Sequence, residues 1–184
     1  MELNKKCSFP TFYAHLELSS SYFAYWKELM HCKRNRRGEV IPVICDAKQR
    51  LLLHTKQDYP NGVFRLPTGG IHPTELAYSA LQRECHEETG LVVTKSDFLF
   101  LLLYEFYHGK QSIAFSSYVY KVAAGHFEPH PTDPNEKISG FKWIEAHELP
   151  QIIESFKDLP KFWQDWGLMR LVPHQILFQL LSPQ

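Results

Sequence analysis

At 184 residues the chain is long enough to bury one substantial core and short for two. Its 20 basic residues balance 20 acidic ones, so no net field draws it to nucleic acid or an anionic membrane, and any affinity for phosphate must be local. No stretch approaches the roughly 20 apolar residues of a membrane-spanning helix, and Cys7, Cys32, Cys45 and Cys85 form no C-x-x-C pair, so the expectation is a soluble, cytoplasmic protein with reduced thiols.

Residues 20–35 place Tyr22, Tyr25, Trp26, Leu29 and Met30 at helical spacing behind serines suited to an N-cap, which predicts an amphipathic helix. The basic run at residues 33–37 reads as a solvated helix end, with phosphate contact as the minority alternative. "EVIPVICD" and "RLLLHT" predict two strands joined by a turn; "FLFLLLYEFYH", "GKQ" and "SIAFSSYVYKVAAG" predict a longer hairpin. Between them Pro73, Thr74 and Glu75 supply helix-start chemistry and Gly90 a stop, bracketing a helix over residues 75–89. Residues 125–137, rich in Pro, Asp and Asn, predict an exposed loop of functional length, and "SGFKWI" a further strand. From residue 149 apolar positions recur at helical spacing, with Pro160 and Pro173 dividing the tail into two or three helices. This aromatic tail is expected to pack on the sheet; a homodimer surface or ligand wall is the less favoured alternative.

Within the central helix, "RECHEETG" gathers Glu84, Glu87 and Glu88 into an arc of about 100°. Like charges at that spacing repel, so the arc calls for a cation, and carboxylate oxygens are hard ligands suited to Mg²⁺ or Mn²⁺ with substrate phosphates completing the shell. Ala77, Ala80, Leu81 and Cys85 make an apolar stripe beside the arc, which places it at the edge of the core. Arg83 adjoins Glu84 and precedes Glu87 by one helical turn, a position from which it orients a carboxylate. Taken alone, such a cluster is more often a solvated acidic surface.

The surrounding residues favour the sharper reading. Residues 69–91 resemble the signature of the Nudix hydrolases, with Gly69, Glu75, Arg83, Glu84, Cys85, Glu87, Glu88, Gly90 and Leu91 at its fixed and apolar positions. The resemblance implies an α/β fold, an α/β/α sandwich with a mixed β-sheet, here carrying an N-terminal helix and C-terminal helices. A single domain over residues 1–184 is expected, divided into an N-terminal helical extension (1–37), a Nudix core (38–149) and C-terminal helices (150–184). The implied activity is divalent-metal-dependent hydrolysis of a diphosphate bond in a nucleoside diphosphate linked to another moiety, by water attack on phosphorus. Mg²⁺ is the implied cofactor, Mn²⁺ its substitute, and a nucleotide-type diphosphate the implied partner.

Carried over by position, Glu84, Glu87 and Glu88 are metal ligands, Arg83 positions Glu84, and Glu75 and Gly90 are structural. A backbone carbonyl of Thr68 or Gly69 joins the metal shell. The general base is either a motif glutamate, Glu84, or the loop residue Glu136. Arg65, Gly69 and Gly70 are expected at the substrate, Arg65 either on a phosphate or in a surface ion pair. Tyr59, Phe64, Tyr104, Tyr107 and Trp143 are candidates to stack on a base, although most are expected in the core, and His72 is a candidate substrate contact. A zinc site built on His126 and His130 is not expected, because they lack ligand spacing. The competing reading is a catalytically silent Nudix-like nucleotide-binding sensor or regulator. Such modules typically lose motif glutamates, and this chain keeps all of them.

Overall fold

The structure is a computed structural model that describes residues 9–30, 36 and 38–182. Its first element is a strand, β1 (Thr11–Glu17), whose residues alternate between exposed and half-buried. Phe12, Ala14 and Leu16 turn to the core while β1 runs parallel to a later strand, so the expected N-terminal helical extension is a strand followed by a helix. The reason is a period of two in "TFYAHLE", which suits a half-buried strand and no helix. Ser19 then accepts a hydrogen bond from the Tyr22 N–H and starts α1 (Ser20–Glu28). Its backbone N–H and hydroxyl both donate to Asp165, tying this helix to the C-terminal one. The predicted continuation over residues 31–35 lies outside the described residues, as do Cys7 and Cys32.

β2 (Gly38–Asp46) and β3 (Leu51–Lys56) follow, then the two-residue β4 (Gly69–Gly70), α2 (Ala77–Thr89), β5 (Ser96–His108), β6 (Gln111–Gly125) and β7 (Ile138–Ile144). α2 begins later than predicted because Thr74 adopts a positive φ of 71° and the Glu75 carboxylate is engaged elsewhere, leaving neither to cap it. α3 (Leu149–Ser155) and α4 (Gln164–Leu181) complete the chain. The strand order is β1-β5-β6-β2-β3-β7, with β4 paired to β2. β1–β5 and β2–β6 are parallel and the other pairs antiparallel, giving the mixed sheet.

β2 is buried along its whole length, as a nearly unbroken apolar strand covered on both faces must be. Val40 and Ile44 face α2 with Leu52, Ala80, Leu81 and Cys85, whereas Ile41, Val43 and Leu53 face the aromatic layer of α1, α3 and α4. Two cores on one sheet make the α/β/α sandwich, and the C-terminal tail packs on the sheet as expected. Near its end β2 pairs with β3 through Cys45 and Leu51; near its start it pairs with β4, Glu39 against Gly70 and Val40 against Gly69. The glycine turn is thereby fixed against the sheet.

Pro160 separates α3 from α4, but Pro173 lies inside α4 without dividing it. A proline leaves the carbonyl four residues earlier without its helical donor, and here Tyr104 Oη donates to that carbonyl, Met169 O, at 2.9 Å. Among the described residues no helix is long and apolar enough to cross a membrane.

The next residue, His174, is 1 % exposed; its Nε2 accepts from Leu66 N at 3.1 Å and its Nδ1–H donates to Arg170 O at 2.7 Å. Both bonds require the neutral ring, and burial pushes its pKa down from 6.5 to about 3. A folded-state pKa below the unfolded one means that the stabilisation is complete above pH 6.5 and lost as pH falls. His174 is expected to withdraw about 2 kcal/mol between pH 6.5 and pH 5. Urea midpoints at pH 7 and pH 5 check this: His174→Gln should flatten the pH dependence, and an unchanged dependence would remove His174 from it.

Candidate active site

β4, the turn after it and α2 bring the motif residues together. A Cβ on Gly69 would lie 1.8 Å from Glu84 Cδ, so only glycine lets the strand pass over that carboxylate. At the other end Gly90 takes the left-handed conformation (φ 78°) that closes α2, its N–H bonded to His86 O. Arg83 uses all five donors of its guanidinium. Nε and Nη2 donate to the two oxygens of Glu75, each at 2.9 Å, and Nη2 also to Gly70 O at 2.8 Å. Nη1 donates to Glu84 Oε1 at 2.7 Å and Glu87 Oε2 at 2.9 Å. The Arg83 bonds hold the Glu75 carboxyl below its ordinary pKa, whereas burial, against the pull of Arg83, raises that of Glu84.

Glu88 points into the protein and is 1 % exposed. Lys56 Nζ stands 2.9 Å from its Oε1 as an ion pair, and His54 Nδ1 lies 4.0 Å from its Oε2. Among the described residues no donor makes a well-aligned hydrogen bond to either Glu88 oxygen, nor does either His54 nitrogen find a partner. Burial pushes the Glu88 carboxyl up to about 7 despite Lys56, and pushes His54 well down, so that ring is neutral.

Lys56 also bridges to Glu136 Oε2, which brings the loop carboxylate into the same site. The loop is docked there by the backbone of α2: Thr132 N and Asp133 N donate to Glu87 O at 3.0 and 3.2 Å, and His130 N to Thr89 O at 2.9 Å. These carbonyls end the helix without intrahelical donors, so the loop caps the motif helix while delivering Glu136. Among the described residues no three carboxylate, imidazole or thiol groups converge at metal-ligand spacing. Arg83 stands between Glu84 and Glu87, and Lys56 between Glu88 and Glu136.

A family model for the NUDIX domain matches residues 35–165. The chain belongs to the Nudix family. The Nudix match runs beyond the expected core into the start of α4. An RNA pyrophosphohydrolase from Bartonella clarridgeiae is 27% identical over 110 residues, covering 52% of this chain and 64% of that protein, so the alignment spans less than two thirds of that curated relative. A MutT protein from Bacillus halodurans superposes with a TM-score of 0.51 at 19% identity, over 62% of this chain and 72% of that one. A C. elegans Ap4A hydrolase, in a binary complex, gives 0.50 at 18% identity, over 78% and 97%. The NUDIX domain of Shewanella oneidensis NrtR, complexed with ADP ribose, gives 0.50 at 15% identity, over 86% and 99%. At these identities the likeness is one of fold.

The Nudix motif of this chain opens onto a cleft of about 930 Å³. Gly69, Gly70, Arg83, Glu84 and Glu87 form one side, and Lys56, Tyr59, Arg65 and Glu136 also line it. Arg65 makes no surface ion pair: it is 4 % exposed and donates to Tyr59 Oη, Leu66 O and Thr68 Oγ1 at 2.7, 2.8 and 2.8 Å, bracing the turn before Gly69. Of the five candidate stacking residues only Tyr59 lines the cleft; Tyr104 is buried under Pro173 and Trp143 lies beneath Arg50 in a separate groove. His72 lines the cleft, whereas His126 lines the other groove.

The far wall comes from the helices flanking the motif core: Tyr22, Tyr25 and Trp26 of α1, and Trp166 and Arg170 of α4. Arg36, expected in a solvated helix end, also lines the cleft, over Gly70. The sequence reading missed Lys56 and Arg170 as well. Their signal is a charge inside an apolar run, as in "LLLHTK" and "GLMRLVPHQIL", matched by Glu39 in β2.

Proposed function

We propose that this Nudix chain hydrolyses a pyrophosphate bond in a nucleoside diphosphate linked to another moiety, with Mg²⁺ or Mn²⁺ held by Glu84, Glu87 and Glu88. The carrying observation is that Gly69, Arg83, Glu84 and Glu87 of the complete motif line one cleft, with Glu88 buried behind them and the Glu136 loop docked on their helix. The donor set fits a divalent cation: the oxygens are hard, Glu84 and Glu88 are buried where their anionic forms are disfavoured, and among the described residues neither Glu88 oxygen receives a well-aligned hydrogen bond beyond its Lys56 ion pair. Such an ion neutralises charge on the diphosphate and acidifies a bound water.

The chain's own residues do the rest. Arg83 positions Glu84 and Glu87, and Glu75 and Gly90 hold the turn and the helix end that carry them. The absent side chains of Gly69 and Gly70 let the diphosphate approach the backbone, and Arg65 braces that approach from below. Glu136, fixed by Lys56, accepts the proton of the attacking water. Flanking helices and motif share one cleft, which supports reading the chain as a single functional unit.

The test is a panel of nucleoside triphosphates, ADP-ribose, sugar nucleotides, dinucleoside polyphosphates and capped RNA, assayed with Mg²⁺ or Mn²⁺. Phosphate-containing products that disappear in EDTA are expected. Absence of turnover by folded protein would favour a nucleotide-binding regulator. Glu136→Gln is expected to lower kcat by roughly 10²–10⁴-fold; little change would return the base to Glu84.

A further inference from the structure

In the cleft that the glutamates line, two guanidinium groups share one carboxylate. Glu39 is fully buried in β2 and accepts from Arg170 Nη1 at 2.9 and 3.1 Å and from Ser117 Oγ at 2.9 Å. Arg36 Nη2 reaches the same carboxylate only at 3.9 Å. The Nε atoms of both arginines are buried and find no acceptor among the described residues. Both guanidinium groups thus keep a buried donor unspent at the lining of the cleft, beside the rings of Tyr22 and Tyr25. A donor left unpaired in a largely desolvated place is unfavourable until an acceptor joins it.

Its position relative to the motif identifies the anion. A Cβ on Gly70 would lie 2.5 Å from Arg36 Nε, and one on the preceding Gly69 would overlap Glu84. Successive residues of a strand face opposite sides, so Glu84 and Arg36 stand on the two sides of β4, separated by a backbone without side chains. Arg36 lies within electrostatic reach of Glu84, and both arginines line the same cleft, so a phosphate chain engaged at the carboxylates extends along the β4 edge toward them.

We propose that Arg36 and Arg170 form a subsite for an additional phosphate, so that the substrate is a nucleotide carrying three or more phosphates in a chain and not a nucleoside diphosphate sugar. The proposal rests on the hydrolysis reading for the register of the chain, but the subsite itself binds phosphate without turnover. Arg36 lies at the start of the family match and Arg170 beyond its end, so the C-terminal helix supplies one of the two groups.

Two measurements test it. Inorganic tripolyphosphate, titrated into the full chain in EDTA and followed by tryptophan fluorescence and calorimetry, is expected to bind saturably. Arg36→Gln should weaken its Kd at least about tenfold, the scale of losing one charge-assisted hydrogen bond. Arg170→Lys, which keeps the charge facing Glu39, should weaken it too. No saturable binding by the wild type, or an unchanged Kd in Arg36→Gln with native circular dichroism, overturns the subsite. In turnover, Arg36→Gln should lower the ratio of kcat/KM for ATP over ADP-ribose at least tenfold; equal losses on both substrates overturn the selectivity. Tripolyphosphate binding with no hydrolysis of any substrate would sink the enzymatic reading and leave the subsite standing.

Discussion

Glu84→Gln is expected to lower turnover of a pyrophosphate substrate by roughly 10²–10⁴-fold while leaving the thermal stability of the metal-free protein unchanged or raised. The two effects have one cause. Glu84 is buried beside Gly69, and burial raises its pKa although Arg83 Nη1 donates to it at 2.7 Å. A neutral amide of the same shape keeps an oxygen for that donor and removes the cost of holding an anion there. The same substitution removes a hard, charged ligand from the proposed metal seat. Initial rates with Mg²⁺ and calorimetric melting in EDTA measure both. Near-normal turnover would sink the ligand assignment, and a melting temperature lower by more than about 5 °C would show the carboxylate to be structural.

Arg83→Lys is expected to cost about 2–3 kcal/mol of stability and at least about 10²-fold in turnover, despite conserving the charge. The guanidinium donates to two oxygens of Glu75, one each of Glu84 and Glu87, and Gly70 O. An ammonium has three donors radiating from one point and cannot meet five acceptors fixed in a plane. The released carboxylates repel one another at helical spacing, so the motif opens where it must be rigid. Urea unfolding measures the first effect. A double-mutant cycle with Glu75→Gln separates the network from Arg83 itself, with a coupling of about 1–3 kcal/mol expected. Additive losses would mean that the guanidinium acts on each acceptor independently, contrary to the geometry described.

Much of this site was legible before any coordinates, because its logic is local. Residues four positions apart meet on a helix, so Arg83 was placed to reach Glu87 by spacing alone, whereas its bond to the adjacent Glu84 depends on where the long guanidinium side chain is drawn by Glu75 and Gly70. A glycine after a helical run ends it, as Gly90 does. The period-two signal of β1 is equally local, although the aromatic helix that follows it is the stronger pattern in that stretch of the chain. Pro173 reads locally as a helix break, and no local rule contains the tyrosine on β5 that caps its orphaned carbonyl.

By itself, then, the amino-acid sequence determined the family, the sandwich of strands and helices, and which carboxylates belong to the motif. Short-range spacing and side-chain chemistry carry all of these. Only the tertiary structure decided what stands opposite the motif. Lys56 meets Glu136 across 80 positions and Arg170 meets Glu39 across 131, pairs brought together by the register of β2, β3 and α4. Such pairs have no period in the chain: Lys56, Glu39 and Arg170 are each one charge in an apolar run, Glu136 one of several in a polar loop, and only folding makes each the available partner of the other.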